Sequence, residues 1–178
     1  MAARQIVFVH TVEAFFVRTY GSRIKPELRE QLTKLGLLES KLPVDVEVFR
    51  DGMELVRLAL FPGMESEAAY RAMGEEYLSR YFTTVMGGLA AMMVKLLPPE
   101  KAIARVSTSL QSASNLVKAE YTRNNERDYV VSVENYSSTP GFVAGLLVTF
   151  MRNAGGKNVK ADIVEHEGRS AKFHIYWE

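Results

Sequence analysis

One stretch of the sequence, 139–155, constrains the fold more than any other. Thr139 is suited to cap a helix and Pro140 to occupy its first position, where no N–H donor is needed. The residues that follow are apolar almost all round, which is typical of a helix inside a protein, and the segment is too short to cross a bilayer. We therefore predict a buried helix ending near Gly155, with Gly145 packed closely against a sheet.

Alternating apolar and polar residues on both sides of this helix predict β-strands. Before it, strands over 116–123 and 128–135 with a three-residue loop would place Tyr121 opposite Tyr129 and Ala119 opposite Val131. All these side chains then share one face, as a half-buried hairpin requires.

A second hairpin follows the helix. A loop at 167–169 pairs Ile163 with Phe173 and places His174 opposite Asp162 on the polar face, where they form a surface cross-strand pair. A two-residue loop would set Ile163 against Lys172, which puts apolar and charged residues on the same face. The three-residue loop is therefore the prediction.

The remaining N-terminal sequence has helical periodicity. After a short strand over 5–10, we predict helices over 11–20, 26–35, 46–61 (capped by Asp45), from Ser66, over 89–97, and from Pro99. The chain is then a single α+β domain over 1–178, in which a helical part, about 1–113, precedes an antiparallel four-stranded ββαββ unit, about 114–178.

Composition excludes several classes of protein. The net charge of +1 argues against a nucleic-acid partner. The absence of cysteine excludes disulfides and thiolate chemistry and fits a cytoplasmic protein. We find no signal peptide and no apolar run long enough for a transmembrane segment.

Several short motifs carry a family resemblance. These motifs are Phe61-Pro62-Gly63, Met73-Gly74, the segment 81–87, Asn115, the segment 140–145 and Trp177. Together they resemble a family of paralogous myxobacterial proteins of unknown function. More distantly, the apolar segment 142–147 between two hairpins is similar to the haem nitric-oxide-binding domains, the vinyl-reductase-type domains and the transport-particle subunits. The resemblance implies a small-ligand-binding or assembly fold used in signalling and trafficking, and for this chain a role in bacterial signalling.

The resemblance also provides a test for haem. Haem nitric-oxide-binding domains use a proximal histidine on a helix and a Tyr-x-Ser-x-Arg motif before the buried helix. The three motif positions here hold Val133, Asn135 and Ser137, so the guanidinium that favours a haem carboxylate is missing. The histidines, His10, His166 and His174, lie outside the central helices. We predict neither a haem cofactor nor a metal site.

Aromatic and methionine side chains recur at helical spacing and have two interpretations. They form either the core or an apolar pocket for a hydrophobic ligand. The candidate pocket residues are Tyr70, Met73, Tyr77, Tyr81, Met92 and Phe142.

The sequence is consistent with three functions. The leading hypothesis is a non-enzymatic regulatory or scaffold module that acts through protein contacts, because no catalytic motif is present. It would pair with a protein partner or form a homodimer through exposed aromatic residues, with Phe15, Phe16 or the stripe from Tyr70 to Tyr81 at the centre. The alternative is a sensor that binds an apolar or lipid-like small molecule between helices and sheet, and the third is an enzyme with an unrecognised site.

Overall fold

The N-terminal part of the chain is helical. A computed structural model describes residues 4–178, apart from the side chains of Val85 and Met86. Two short strands, β1 (Ile6–Val7) and β2 (Val44–Asp45), pair antiparallel; β1 is shorter than predicted, because helix starts at Val9. Helix α1 (Val9–Val12) continues as a π-helix (Glu13–Thr19), and a 3-10 turn (Gly21–Arg23) follows. The other helices of this part are α2 (Pro26–Lys34), α3 (Val46–Leu60), α4 (Ser66–Tyr81), α5 (Val85–Lys95) and α6 (Pro99–Gln111).

Side-chain caps explain where four helices begin. As predicted, Asp45 accepts a hydrogen bond from the Glu47 N–H at the start of α3. Helix α4 begins at Ser66, but its capping side chain is Glu65, which accepts from the Ala68 N–H. Thr84 caps α5, and Thr139 caps the next helix, α7 (Pro140–Asn153).

The C-terminal part is the predicted ββαββ unit. Its four strands are β3 (Lys118–Asn125), β4 (Asp128–Glu134), β5 (Lys160–Glu167) and β6 (Ser170–Tyr176). They form one antiparallel sheet in the order β3-β4-β6-β5, so the two hairpins meet through β4 and β6. Helix α7 connects β4 to β5 and packs on this sheet.

The first hairpin differs in register from the prediction. Ala119 pairs with Val133, whereas the sequence predicted Val131. A bulge between Arg123 and Asn125 accompanies a loop shorter than expected. Because the shift is an even number of residues, the same side chains still share one face, but Tyr121 on that face is 44% exposed.

The second hairpin has the predicted core register with an unexpected loop. Ile163 pairs with Phe173 as expected, but Glu167 pairs with Ser170, which leaves a two-residue loop. A bulge between Ile163 and Glu165 changes the register inside the hairpin. The short loop therefore does not place Ile163 against a charged residue.

Helix α7 belongs to two hydrophobic clusters. Val143, Leu147 and Met151 pack with the sheet and α6. Phe142 and Leu146 face the other way and pack with the N-terminal helices. The predicted buried helix thus joins the two halves of the fold.

Glycines let α4 and α7 approach each other closely. A Cβ at Gly145 would overlap the carbonyl oxygen of Arg71, and one at Gly141 would lie 2.6 Å from that of Glu67. Gly74 of α4 meets the α7 backbone in the same way. The prediction that Gly145 packs against the sheet is therefore wrong: the close contact is with α4.

None of the helices in the described range 4–178 is long and apolar enough to cross a membrane.

Candidate functional site

A mostly apolar cavity lies between the helices and α7. Its volume is about 340 Å³, which is within the range of small-ligand sites. The walls come from five helices, and the lining includes His10, Thr11, Tyr77, Tyr81, Ala90 and Val94. Aliphatic and aromatic side chains from α4, α6 and α7 and the hydroxyl residues Thr108, Ser109 and Ser112 complete the walls. Among the described residues, the lining contains no carboxylate, ammonium or guanidinium group.

A smaller cavity of about 50 Å³ adjoins the first. Thr11, Tyr77 and Leu146 line both spaces. The inner cavity reaches the aromatic core at Phe142 and the segment just before α7 at Ser137. The two spaces therefore extend from the helical surface towards the junction of the two hydrophobic clusters.

Two tyrosines contribute hydroxyl groups to the lining of the main cavity. The rings of Tyr77 and Tyr81 are stacked, with centroids 6.4 Å apart. Burial raises the pKa of Tyr77, and the neighbouring Tyr81 adds to this shift, so the Tyr77 phenol is protonated at neutral pH. Within the described range, neither hydroxyl has a protein hydrogen-bond partner. Both can donate to an acceptor on a ligand.

The six predicted pocket residues do not form one site. Tyr77 and Tyr81 line the main cavity. Phe142 lines only the inner cavity. Tyr70 and Met73 are core residues beside α3, and Met92 points outwards with 61% of its surface exposed. The helical stripe thus contains both core and cavity residues, and periodicity could not separate them.

The predicted aromatic contact surface is not at the surface. Phe15 and Phe16 are completely buried, and their rings pack at 4.8 Å from each other. Both also pack against Phe49 in the N-terminal core. The expectation that these aromatics are exposed is wrong, because the π-helix turns both of them inwards. Tyr70 is only 7% exposed and offers no alternative centre.

A polar cluster that the sequence did not suggest surrounds Tyr70. Its hydroxyl donates to Glu54 Oε2 at 2.6 Å, and Arg57 donates to both carboxylate oxygens of Glu54. The Arg57 hydrogen bonds, followed by that of Tyr70, hold the pKa of Glu54 below its usual value against the effect of burial. This cluster links α3 to α4 and has no free nucleophile, so we assign it a structural role.

The histidines do not gather into a metal site. His174 pairs in register with Asp162 as predicted, but its Nε2 contacts Asp128 Oδ1 at 2.8 Å. Asp162 instead accepts from the hydroxyl of Tyr176. Across residues 4–178, no group of three or more potential metal ligands is present.

The residues at the haem-binding positions do not fit haem. Val133 is buried in the sheet, and Asn135 donates to the backbone of Leu116. Ser137 offers a hydroxyl where an arginine would be needed for a carboxylate. His10 borders the cavity, but its Nε2 lies 3.1 Å from the Ser112 carbonyl oxygen and the side chain is exposed.

The family of the chain follows from its sequence. A family model described as a protein of unknown function (DUF2378) matches residues 5–178. The chain belongs to this family. No curated protein shows significant sequence similarity to the chain.

Solved structures of H-NOX proteins have a similar fold. Fe(II) unliganded H-NOX from K. algicida superimposes with a TM-score of 0.60 at 9% identity, covering 96% of this chain and 96% of that chain. A Cs H-NOX mutant with 4-cyano-L-phenylalanine gives 0.58 at 12% identity, covering 96% of each chain. An oxygen-binding H-NOX domain related to soluble guanylate cyclases gives 0.52 at 12% identity, covering 96% of this chain and 90% of that one. At such identities the likeness shows the fold alone, and it confirms the distant resemblance to the haem nitric-oxide-binding (H-NOX) domains.

Proposed function

We propose that this protein is a sensor module that binds an apolar, lipid-like small molecule in the cavity between its helices and α7. The observation that carries the proposal is the cavity of about 340 Å³, whose described lining is mostly apolar and has no carboxylate, ammonium or guanidinium group. Such a site favours a ligand that loses little solvation on entry. The H-NOX-like fold supports the proposal, since the oxygen-binding neighbour also holds a small ligand.

The cavity also suggests the chemistry of the ligand. A pure hydrocarbon would leave the hydroxyls of Tyr77 and Tyr81 without an acceptor inside an apolar space. A ligand with one carbonyl, ester or hydroxyl oxygen near its end would satisfy them. A free carboxylate is less suitable, because no cationic side chain lines the described walls.

We also propose that the module is not an enzyme and has no haem. His10 and Ser112 both line the cavity, but His10 Nε2 contacts the Ser112 carbonyl oxygen and the Ser112 hydroxyl donates to the Ser109 carbonyl oxygen, so the two side chains do not form a nucleophile–base pair. The leading hypothesis from the sequence was a scaffold module with Phe15 or Phe16 at the centre of its interface, and the burial of both residues removes that support.

Extraction of small molecules from the purified protein tests the proposal. We expect mass spectrometry to find a lipid-like molecule in the parent protein, and Ala90→Phe to lower its occupancy about tenfold by filling the cavity. Ala104→Phe makes the same change on an exposed part of α6 and should leave the occupancy unchanged. A parent protein that retains no ligand, and that fails to bind a fluorescent fatty-acid ester, would contradict the proposal.

A further inference from the structure

Helix α5 exposes an apolar face to solvent. Leu89, Met92, Met93 and Leu96 follow the spacing of one helical face, and their exposed fractions are 56%, 61%, 61% and 80%. We call these four residues the α5 face. A contiguous exposed patch of large apolar side chains on a folded protein marks a site of interaction with another protein or with a membrane.

The opposite side of the same helix lines the ligand cavity. Ala90 and Val94 form part of the cavity wall. Asn153 of α7 donates to the Ala91 carbonyl oxygen at 3.1 Å and holds the helix in place. Helix α5 therefore lies between the α5 face and this part of the cavity.

Cationic residues outnumber acidic ones in the part of the sequence that contains the α5 face. Between residues 77 and 110 the cationic residues are Arg80, Lys95, Lys101 and Arg105, and the acidic residue is Glu100. This segment therefore has a net charge of +3, whereas the whole chain has a net charge of +1. All five side chains belong to exposed residues. None of them takes part in the ion pairs found among residues 4–178.

We propose that the α5 face docks on an anionic lipid surface, with Leu89, Met92, Met93 and Leu96 in the headgroup region and the flanking cations on the lipid phosphates. Amphipathic elements with aliphatic side chains bordered by lysine and arginine bind membranes in this way. A second copy of the chain fits less well, because it would bring the same cations together. An acidic protein also fits less well, since the α5 face lacks the aromatic anchors typical of protein interfaces. The inference deepens the proposed function, because docking would bring the cavity wall to the source of a lipid-like ligand.

Vesicle co-sedimentation tests the inference. The full chain should bind vesicles of equimolar phosphatidylcholine and phosphatidylglycerol, and should bind phosphatidylcholine vesicles at least tenfold more weakly. The double variant Met92→Gln/Met93→Gln should reduce binding to the anionic vesicles about tenfold, because two partly exposed apolar side chains lose their favourable transfer. Lys95→Glu/Lys101→Glu should reduce it similarly and remove its salt dependence.

The control is Leu58→Gln, which changes a 56% exposed leucine on α3 and should leave vesicle binding unchanged. Equal binding by the parent and the Met92/Met93 variant would overturn the inference. If the protein forms a dimer without lipid and the Met92/Met93 variant dissociates it, the inference is overturned and a second copy of the chain covers the α5 face. If the protein binds polyglutamate but not vesicles, the inference is overturned and an acidic protein covers the face. A parent that binds anionic vesicles but retains no ligand would support the docking face and contradict only the proposed cavity function.

Discussion

Gly145 of α7 lies directly against the carbonyl oxygen of Arg71 on α4, so closely that no Cβ would fit between them. Gly141, one turn earlier, meets the same helix at Glu67. The side chain of Arg71 continues beyond the crossing and donates to the Ala161 carbonyl oxygen of β5 at 2.8 Å. The α4–α7 crossing therefore fixes the helical half of the molecule to the sheet, and with it the cavity walls contributed by both helices.

Gly145→Ala should destabilise the protein by roughly 1–3 kcal/mol, because the added methyl group has to displace helix backbone rather than a flexible side chain. Urea unfolding followed by circular dichroism measures the change. Gly88→Ala is the matched control: it is also a glycine inside a helix, and its Cβ would have its nearest neighbour, the Phe82 oxygen, at 3.5 Å. The control should be neutral or stabilising by up to about 1 kcal/mol. Equal effects of the two substitutions would contradict the close crossing.

Phe15→Ala should cost about 3–5 kcal/mol of folding free energy. The ring is fully buried and packs within 5.9 Å of Phe16, Tyr20 and Phe49. Val17→Ala, at a 41% exposed position of the same π-helix, should change stability by less than about 0.5 kcal/mol. Denaturant unfolding distinguishes them, and sedimentation of folded protein should show no change in association state with either variant. A change in association without loss of stability would place Phe15 in an interface instead.

The sequence predicted the order of elements well, because each depends on local patterns. The Thr139 cap, the apolar run of α7 and the alternation in the hairpins each report on a few neighbouring residues. The register of the paired strands was harder to predict. A bulge inserts one residue without altering the apolar pattern on either side of it, so the loop at Gly168 could not be distinguished from a longer one by counting.

The cavity was only partly predictable. Tyr77 and Tyr81 lie on the correct stripe, but their partners Ala90 and Val94 carry no signal of their own. On α5, the conspicuous residue is Met92, which points to solvent. Periodicity identifies a face of a helix but not what covers it, and α5 is apolar on both faces.

Purified protein should show no Soret band, and added haemin should not bind stoichiometrically. The residues at the three motif positions offer no guanidinium, and His10 is the only histidine on the described cavity wall. Absorption spectra before and after gel filtration with haemin measure this directly. A stable Soret band that His10→Ala abolishes, and that His166→Ala leaves intact, would show that haem is ligated from α1.

Acid should weaken the link between α3 and α4 through Glu54. The pKa of its carboxyl is lower in the folded protein than the ordinary 4.5, mainly because Arg57 donates to it. A carboxylate with a depressed pKa contributes stability that is present above the unfolded-state pKa and is lost as the pH falls through the folded-state value. The contribution should be below about 1 kcal/mol, because the Glu54 side chain is 43% exposed and the pair is partly screened.

The free energy of unfolding of the parent should therefore fall towards that of Glu54→Gln as the pH drops below about 4.5, and the two should differ by a constant amount near neutral pH. Urea titrations at a series of pH values measure the difference. Glu30→Gln, which removes one partner of the exposed pair with Lys34, serves as the control and should follow the parent throughout. A difference between parent and Glu54→Gln that stays the same at every pH would mean that the carboxylate charge does not contribute, and that Glu54 acts only as a hydrogen-bond acceptor for Tyr70.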